Sequence, residues 1–231
     1  MDSPTISFDR AKEVLSTIGV VKQDVYHHSY AVFEALKLQA MRASEVLEDA
    51  MSKVDTRVKV SYKDVSKNEF WLQFGGDLLI FSLHTNVFAF DKSHSLYNSL
   101  YVQFDPHRSY FSMIEVFNFL SDSVTYSRYR DVGELVARIF VNAENHFFME
   151  GLGPLGSLYT DLTNQVFDEN YMQQVLEGCI VSSVQYDLWV PPFNDVRFIP
   201  LAAIVEQNGN SPRTISKRVG YDIGVRAESN N

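Results

Sequence analysis

The sequence is short of cysteine, of long apolar runs and of basic charge, and each shortage excludes something. One cysteine, Cys179, in 231 residues rules out an intrachain disulfide and a multi-thiolate zinc site. It also points to a reducing compartment, so a cytoplasmic location is expected. No stretch of about 18 apolar residues occurs, so no membrane-spanning helix is expected. The opening MDSPTISFDRAKEVL has no basic region followed by an apolar stretch, so no secretory signal is expected. Asp2 stands where N-myristoylation needs glycine. There are 20 Lys and Arg against 29 Asp and Glu, a net charge of −9. Residues 208–231 carry Arg213, Lys217, Arg218 and Arg226 against Asp222 and Glu228, a net +2, which leaves −11 on the remainder. So acidic a body repels a phosphate backbone. No run of basic residues interleaved with aromatics offers a groove either, so nucleic acid is not an expected partner.

Motifs that carry chemistry are missing as well. There is no P-loop, GxSxG, HExxH, EF-hand loop or CxxC. A helix followed by antiparallel strands invites comparison with metal-dependent restriction nucleases, whose chemistry needs a Glu-x-Lys, Asp-x-Lys or Gln-x-Lys triplet to hold Mg²⁺. None occurs in the chain. No metal and no cofactor are therefore expected.

What is present is an ordinary globular composition, 45% apolar and 21% charged. Of the 31 aromatics, 18 lie between Phe70 and Phe148, which places the expected core there. Phe8, Ala11, Leu15 and Ile18 follow helical spacing over 7–18, with Gly19 as a stop. A longer helix is expected over 23–54, free of Pro and Gly. Its stripe is Val25, Ser29, Val32, Phe33, Leu36, Ala40, Ala43, Leu47, Met51 and Val54. At 1.5 Å per residue it reaches about 48 Å, longer than the expected domain is wide, so one end projects or pairs. A second set on this helix, Tyr30, Leu38, Met41 and Val46, lies off the stripe and marks an interface for a protein partner or a second copy.

After residue 57 the apolar period changes from about 3.6 to 2. Strands are expected at 58–62, 70–74, 77–84, 87–90, 100–104 and 110–120. Gly75 and Gly76 supply a tight turn. Short turns between consecutive strands predict an antiparallel meander. Helices are expected again over 131–150, 156–166 and 169–186, and residues 208–231 read as a flexible tail. The fold class is α+β, with residues 1–207 as one domain: the long helix 23–54, a sheet over 57–120 of about six mostly antiparallel strands, and a helical part over 131–187.

Several residues invite a functional reading. On the expected helix 131–150, His146 and Glu150 project onto the apolar face and stand i,i+4, so they can touch. A buried ionisable pair needs a partner, a water or a ligand, which makes them the candidate ligand-binding residues. Gly151 to Gly156 spells GxGxxG, but a helix before it and Pro154 within it favour an interhelix loop over a dinucleotide turn. Asp24, His27 and His28 hint at a metal site, but only Asp24 and His28 share a helix face, as i,i+4 neighbours off the apolar stripe, and no third ligand is identifiable. Asp91 and His94 suit a turn. Glu115, flanked by Ile114 and Val116, marks the outward face of its strand. Cys179 sits on an apolar stripe as an inert thiol. The function these observations favour is a non-catalytic intracellular interaction or regulatory subunit. The alternatives are a small-ligand sensor, with a pocket between the sheet and helix 131–150, and an enzyme whose site is dispersed along the sequence.

Overall fold

A computed structural model of the protein describes residues 8–129, 131–185 and 192–198. The N-terminal helix is longer than its sequence period suggests. Gly19 does not stop it: α1 (Asp9–Val14) passes through a π turn (Leu15–Gly19) directly into α2 (Val20–Val54). Side chains stabilise the wide turn, since the hydroxyls of Ser16 and Thr17 donate to the Glu13 carbonyl (3.0 and 2.8 Å). No Pro or Gly interrupts α2, and it ends where Asp55 turns extended and accepts the Arg57 N–H (2.9 Å).

Six strands come next: β1 (Val60–Ser66), β2 (Glu69–Phe74), β3 (Asp77–Leu83), β4 (Ser112–Leu120), β5 (Glu134–Val141) and β6 (Phe147–Gly151). They form one antiparallel meander in chain order, so the α+β class and the antiparallel sheet are as expected. The membership differs. Residues 131–150 are not a helix but the hairpin β5–β6, and the sheet runs to residue 151 rather than 120. Segment 87–90 contributes only a single bridge, Phe88 to Phe111. Residues 100–104, expected as a strand, form the short helix α3 (Leu100–Phe104), whose start is capped by Ser99 accepting the Tyr101 N–H (3.2 Å). After α4 (Ser121–Thr125), the helix expected at 156–166 shrinks to α5 (Leu155–Leu158). The helix expected at 169–186 is α6 (Glu169–Gln185), and α7 (Phe193–Val196) comes last. The expected tail lies outside the described residues.

Two apolar cores lie on opposite faces of the sheet. On the first face α2 covers β1, β2 and β4, while α6 packs beside α2 and over β3 and β5. Phe33 and Leu36 meet Phe70 and Phe81 there, all fully buried, and the rings of Phe70 and Phe81 stack at 4.5 Å. On the other face the excursion between β3 and β4 folds back over β4–β6, and Leu96, Val102, Phe111, Met113, Phe140 and Phe148 close a second core. Residues 155–168 run along β6. Tyr159 and Gln165 carbonyls accept the N–H groups of Met149 (2.8 Å) and Phe147 (3.1 Å), and His146 bridges Val166.

One charged side chain is enclosed in the helix–sheet seam. Lys37, 5% exposed, donates to the Ser66 carbonyl (2.7 Å) and Asp64 (3.0 Å) and pairs with Glu34 (3.1 Å). Burial alone would lower its pKa, but hydrogen bonds to Asp64 and Glu34 outweigh burial and leave it raised. Since both carboxylates keep contact with water, they can rehydrate if the ammonium is removed. We therefore expect Lys37→Met to change stability by about 1 kcal/mol or less, and Lys37→Ala, which also deletes packed methylenes, to cost about 2 kcal/mol or more. Urea denaturation of both variants checks this; equal losses would show that the charge, not the packing, matters.

Candidate functional site

The excursion 85–110, the end of β6 and the segment 156–163 enclose a cleft of about 430 Å³, within the size range of small-molecule sites. Its walls include His94, Leu96, Glu150, Gly151, Gly156 and Asp161. Two of these are glycines of the GxGxxG stretch. The expected helix before that stretch is absent: a strand, β6, precedes it, as in a dinucleotide turn. The glycines nevertheless answer to packing. A Cβ on Gly156 would stand 2.5 Å from the Gly151 carbonyl oxygen, so the loop closes on itself only with glycine there. The loop then enters a four-residue helix in an antiparallel meander, not the crossover a dinucleotide fold requires.

The charged groups of the cleft are already engaged. Glu150 pairs with the Arg138 guanidinium directly opposite on β5. Asp161 accepts from the Asn164 side-chain amide (2.8 Å) and from the backbone N–H groups of Thr163 (3.0 Å) and Asn164 (3.3 Å). These bonds, the Asn164 amide foremost, hold its carboxyl below the usual range. His94 Nδ1 accepts the Leu96 N–H (3.2 Å), so its neutral ring carries the proton on Nε2. The Ser99 and Thr163 hydroxyls, from two of its walls, meet at 3.0 Å. Such a cleft offers hydrogen bonds rather than free charge.

His146 stands behind the cleft wall, where its Nδ1–H donates to the Leu162 carbonyl (2.9 Å). It does not meet Glu150. Both lie in the β6 region rather than on a helix, and four residues along a strand separate them by about 13 Å. The partner of His146 is Tyr101, whose ring stacks on the imidazole at 4.3 Å and carries the Arg108 guanidinium at 4.3 Å. The Tyr101 hydroxyl donates to Glu144 (2.8 Å) and accepts from Asn142 (3.0 Å), and Arg108 Nε donates to Glu144 (3.0 Å). This cluster pins the excursion to the β5–β6 turn. Sequence reasoning missed Tyr101, Arg108, Asn142 and Glu144. The signal for the turn was Asn142-Ala143-Glu144-Asn145, whose last residue has φ +63. Nearby, His28 Nε2 contacts Asn145 Oδ1 (2.6 Å), so it serves the helix–turn contact. Among the described residues no group of three or more His, Cys, Asp or Glu could hold a metal.

The expected interface residues divide. Tyr30 is half-buried against the core, bonded to Tyr26 (3.1 Å) and covered by Lys67. Leu38, Met41 and Val46 are exposed. Val46 also lines a second cavity of about 440 Å³, a groove between α2 and α6 walled by Ala43, Leu47, Leu176, Ile180 and Val181. Gln173 donates to Gln39 (3.0 Å) across these two helices. Glu115 faces away from the helices, opposite Ser82 and Arg138, as expected of an outward residue. Cys179 is fully buried, and burial pushes its thiol up to about 12.

Comparison with protein-family models, with curated sequences and with solved structures finds no match.

Because His146 and Glu150 touch different partners, stability losses from His146→Ala and Glu150→Ala should add to within about 0.5 kcal/mol. A double-mutant cycle in urea reads this, and a larger coupling would refute the assigned partners. A second expectation concerns alkali. Burial foremost raises the phenols of Tyr62 and Tyr101 from 10.0 to about 12. The folded state then holds protons that the unfolded chain releases, so this contribution is complete below pH 10 and is lost as pH rises through about 12. Phenolate absorbance should rise together with unfolding across that window. Free ionisation of every tyrosine in a folded chain would contradict it.

Proposed function

We propose that the protein is a non-catalytic intracellular interaction or regulatory subunit that works through protein contacts of its N-terminal helix. The observation that carries this reading is an imbalance along α1 and α2. Buried positions run only from Val25 to Ser44, while the turns before them bury nothing and still carry Phe8, Val14, Leu15, Ile18 and Val20. A solvated helix has no need of so many large apolar residues in so short a stretch. A cytoplasmic location accords with one buried cysteine. No described helix is long and apolar enough to cross a membrane.

A second reading rests on the cleft beside Glu150. Its size and its saturated charges suit a small neutral polar ligand, which would make the protein a sensor. Native mass measurement of the purified chain addresses both readings. The first expects a species heavier than 26.4 kDa by at least a protein subunit, diminished by Leu38→Glu combined with Val46→Glu. The second expects a small mass increment on the chain. A bare monomer in both respects removes both readings.

A further inference from the structure

The α2–α6 groove is apolar, open to water and neutral on balance. Val46 and Val181 stand 69% and 44% exposed on its walls, and the two charged residues that line it, Arg42 and Glu177, cancel. The chain also carries a matching stretch. Residues 198–205, FIPLAAIV, are its longest run without a polar side chain, and the first of them, Phe198, is 79% exposed. We infer that the groove is the docking site of residues 199–205 of the same chain, an intramolecular contact that closes the domain after α6.

Three observations select this occupant. The first is connection. α6 ends at Gln185, one turn or about 6 Å past the groove residue Val181. The chain therefore leaves α6 at one end of the groove, and residues 186–198 are long enough to turn it back along the wall. A segment tethered this closely competes at an effective concentration on the order of millimolar, which a free protein of equal affinity does not reach. The second is charge. A neutral apolar trough gives a charged peptide nothing to pair with, and residues 199–205 carry no charge at all. The third is shape. Pro200 disfavours helix at Ile199, so the segment enters extended, which suits a narrow cavity of about 440 Å³. An extended segment sets Ile199, Leu201, Ala203 and Val205 on one face, a match for walls built from Ala43, Leu47, Leu176 and Ile180. Arg42 and Gln173, also on the walls, can bond its backbone. The projecting turns at the other end of the helix take no part, so this contact and the interaction reading stand or fall separately.

Cysteine pairs in the full chain test the contact, because the native Cys179 is fully buried and silent toward maleimides. Val46→Cys with Leu201→Cys is treated with a short bismaleimide beside a control, Val20→Cys with Leu201→Cys, and circular dichroism confirms that both fold. Val20 is 50% exposed and lies 26 residues, or about 39 Å, along the same helix. The first pair should cross-link within one chain about tenfold or more faster than the control, at a rate independent of protein concentration. Equal rates would mean that the segment visits the surface without docking, and would overturn the inference. Cross-links that join two chains, at a rate rising with concentration, would make a second copy the occupant and overturn it too. A second measurement uses the fluorescence of anilinonaphthalene sulfonate, which reports exposed apolar surface. Leu201→Glu should raise it several-fold over wild type by vacating the groove, and adding Val46→Glu should reverse the rise by spoiling the groove for the dye. No rise in Leu201→Glu, or a rise that survives Val46→Glu, would overturn the contact.

Discussion

Everything in the fold hangs on the water-free contact of Phe33 and Leu36 with the stacked pair Phe70 and Phe81. It welds the middle of a very long helix to the middle of the sheet. Fully burying a side chain of this kind contributes about 1.5–3 kcal/mol, and four meet at one place. Once the helix is held there, its ends have no freedom to choose their surroundings. The C-terminal turns lie beside α6, the N-terminal turns overshoot the sheet, and Lys37 is drawn into the seam, where only Asp64, Glu34 and a carbonyl make its burial tolerable.

The opposite face of the sheet is unequal. Its β4–β6 half is closed by the excursion between β3 and β4, held down by the cluster of Tyr101, Arg108, Glu144 and His146. Among the described residues its β1–β3 half meets only α4, beside which Leu78 is buried, and Lys63 lies over the ring of Trp71 (4.6 Å). The cleft beside Glu150 lies between the excursion and the segment after β6, and the close approach of Gly156 to Gly151 on its wall leaves no side chain there to fill it.

Sequence legibility followed burial. In β1 the apolar Val60 and Tyr62 alternate with polar and charged neighbours, so the period of 2 was readable, while β2 and β3 were readable as short apolar runs set off by the Gly75-Gly76 turn. Strands β5 and β6 are covered on both faces: Ile139 and Val141 face one core and Phe140 the other. Two-sided burial erases the alternation, and Val132, Leu135, Val136, Ile139 and Ala143 happen to repeat at helical spacing. That misreading of 131–150 put His146 and Glu150 on one helical face and lost the site with it. Leu100 to Phe104 failed for the opposite reason. It alternates like a strand, yet Leu100 and Phe104 face water. The informative residues were the caps His94, Ser99 and Asp105, which local hydrogen bonding explains and hydrophobic period does not. The cleft was not legible, because its walls come from three separate stretches of chain.

The strap formed by residues 155–168 also decides how this sheet can grow. By supplying Tyr159 and Gln165 carbonyls to β6, it removes one of the two edges at which another chain could add a strand. Among the described residues the remaining edge is β1, seven residues long and irregular between Asp64 and Ser66. A sheet with a single usable edge can be extended once and then terminates, since the added copy presents its own sealed side outward. Open-ended stacking through the backbone edges of this six-stranded sheet is therefore closed to the folded chain.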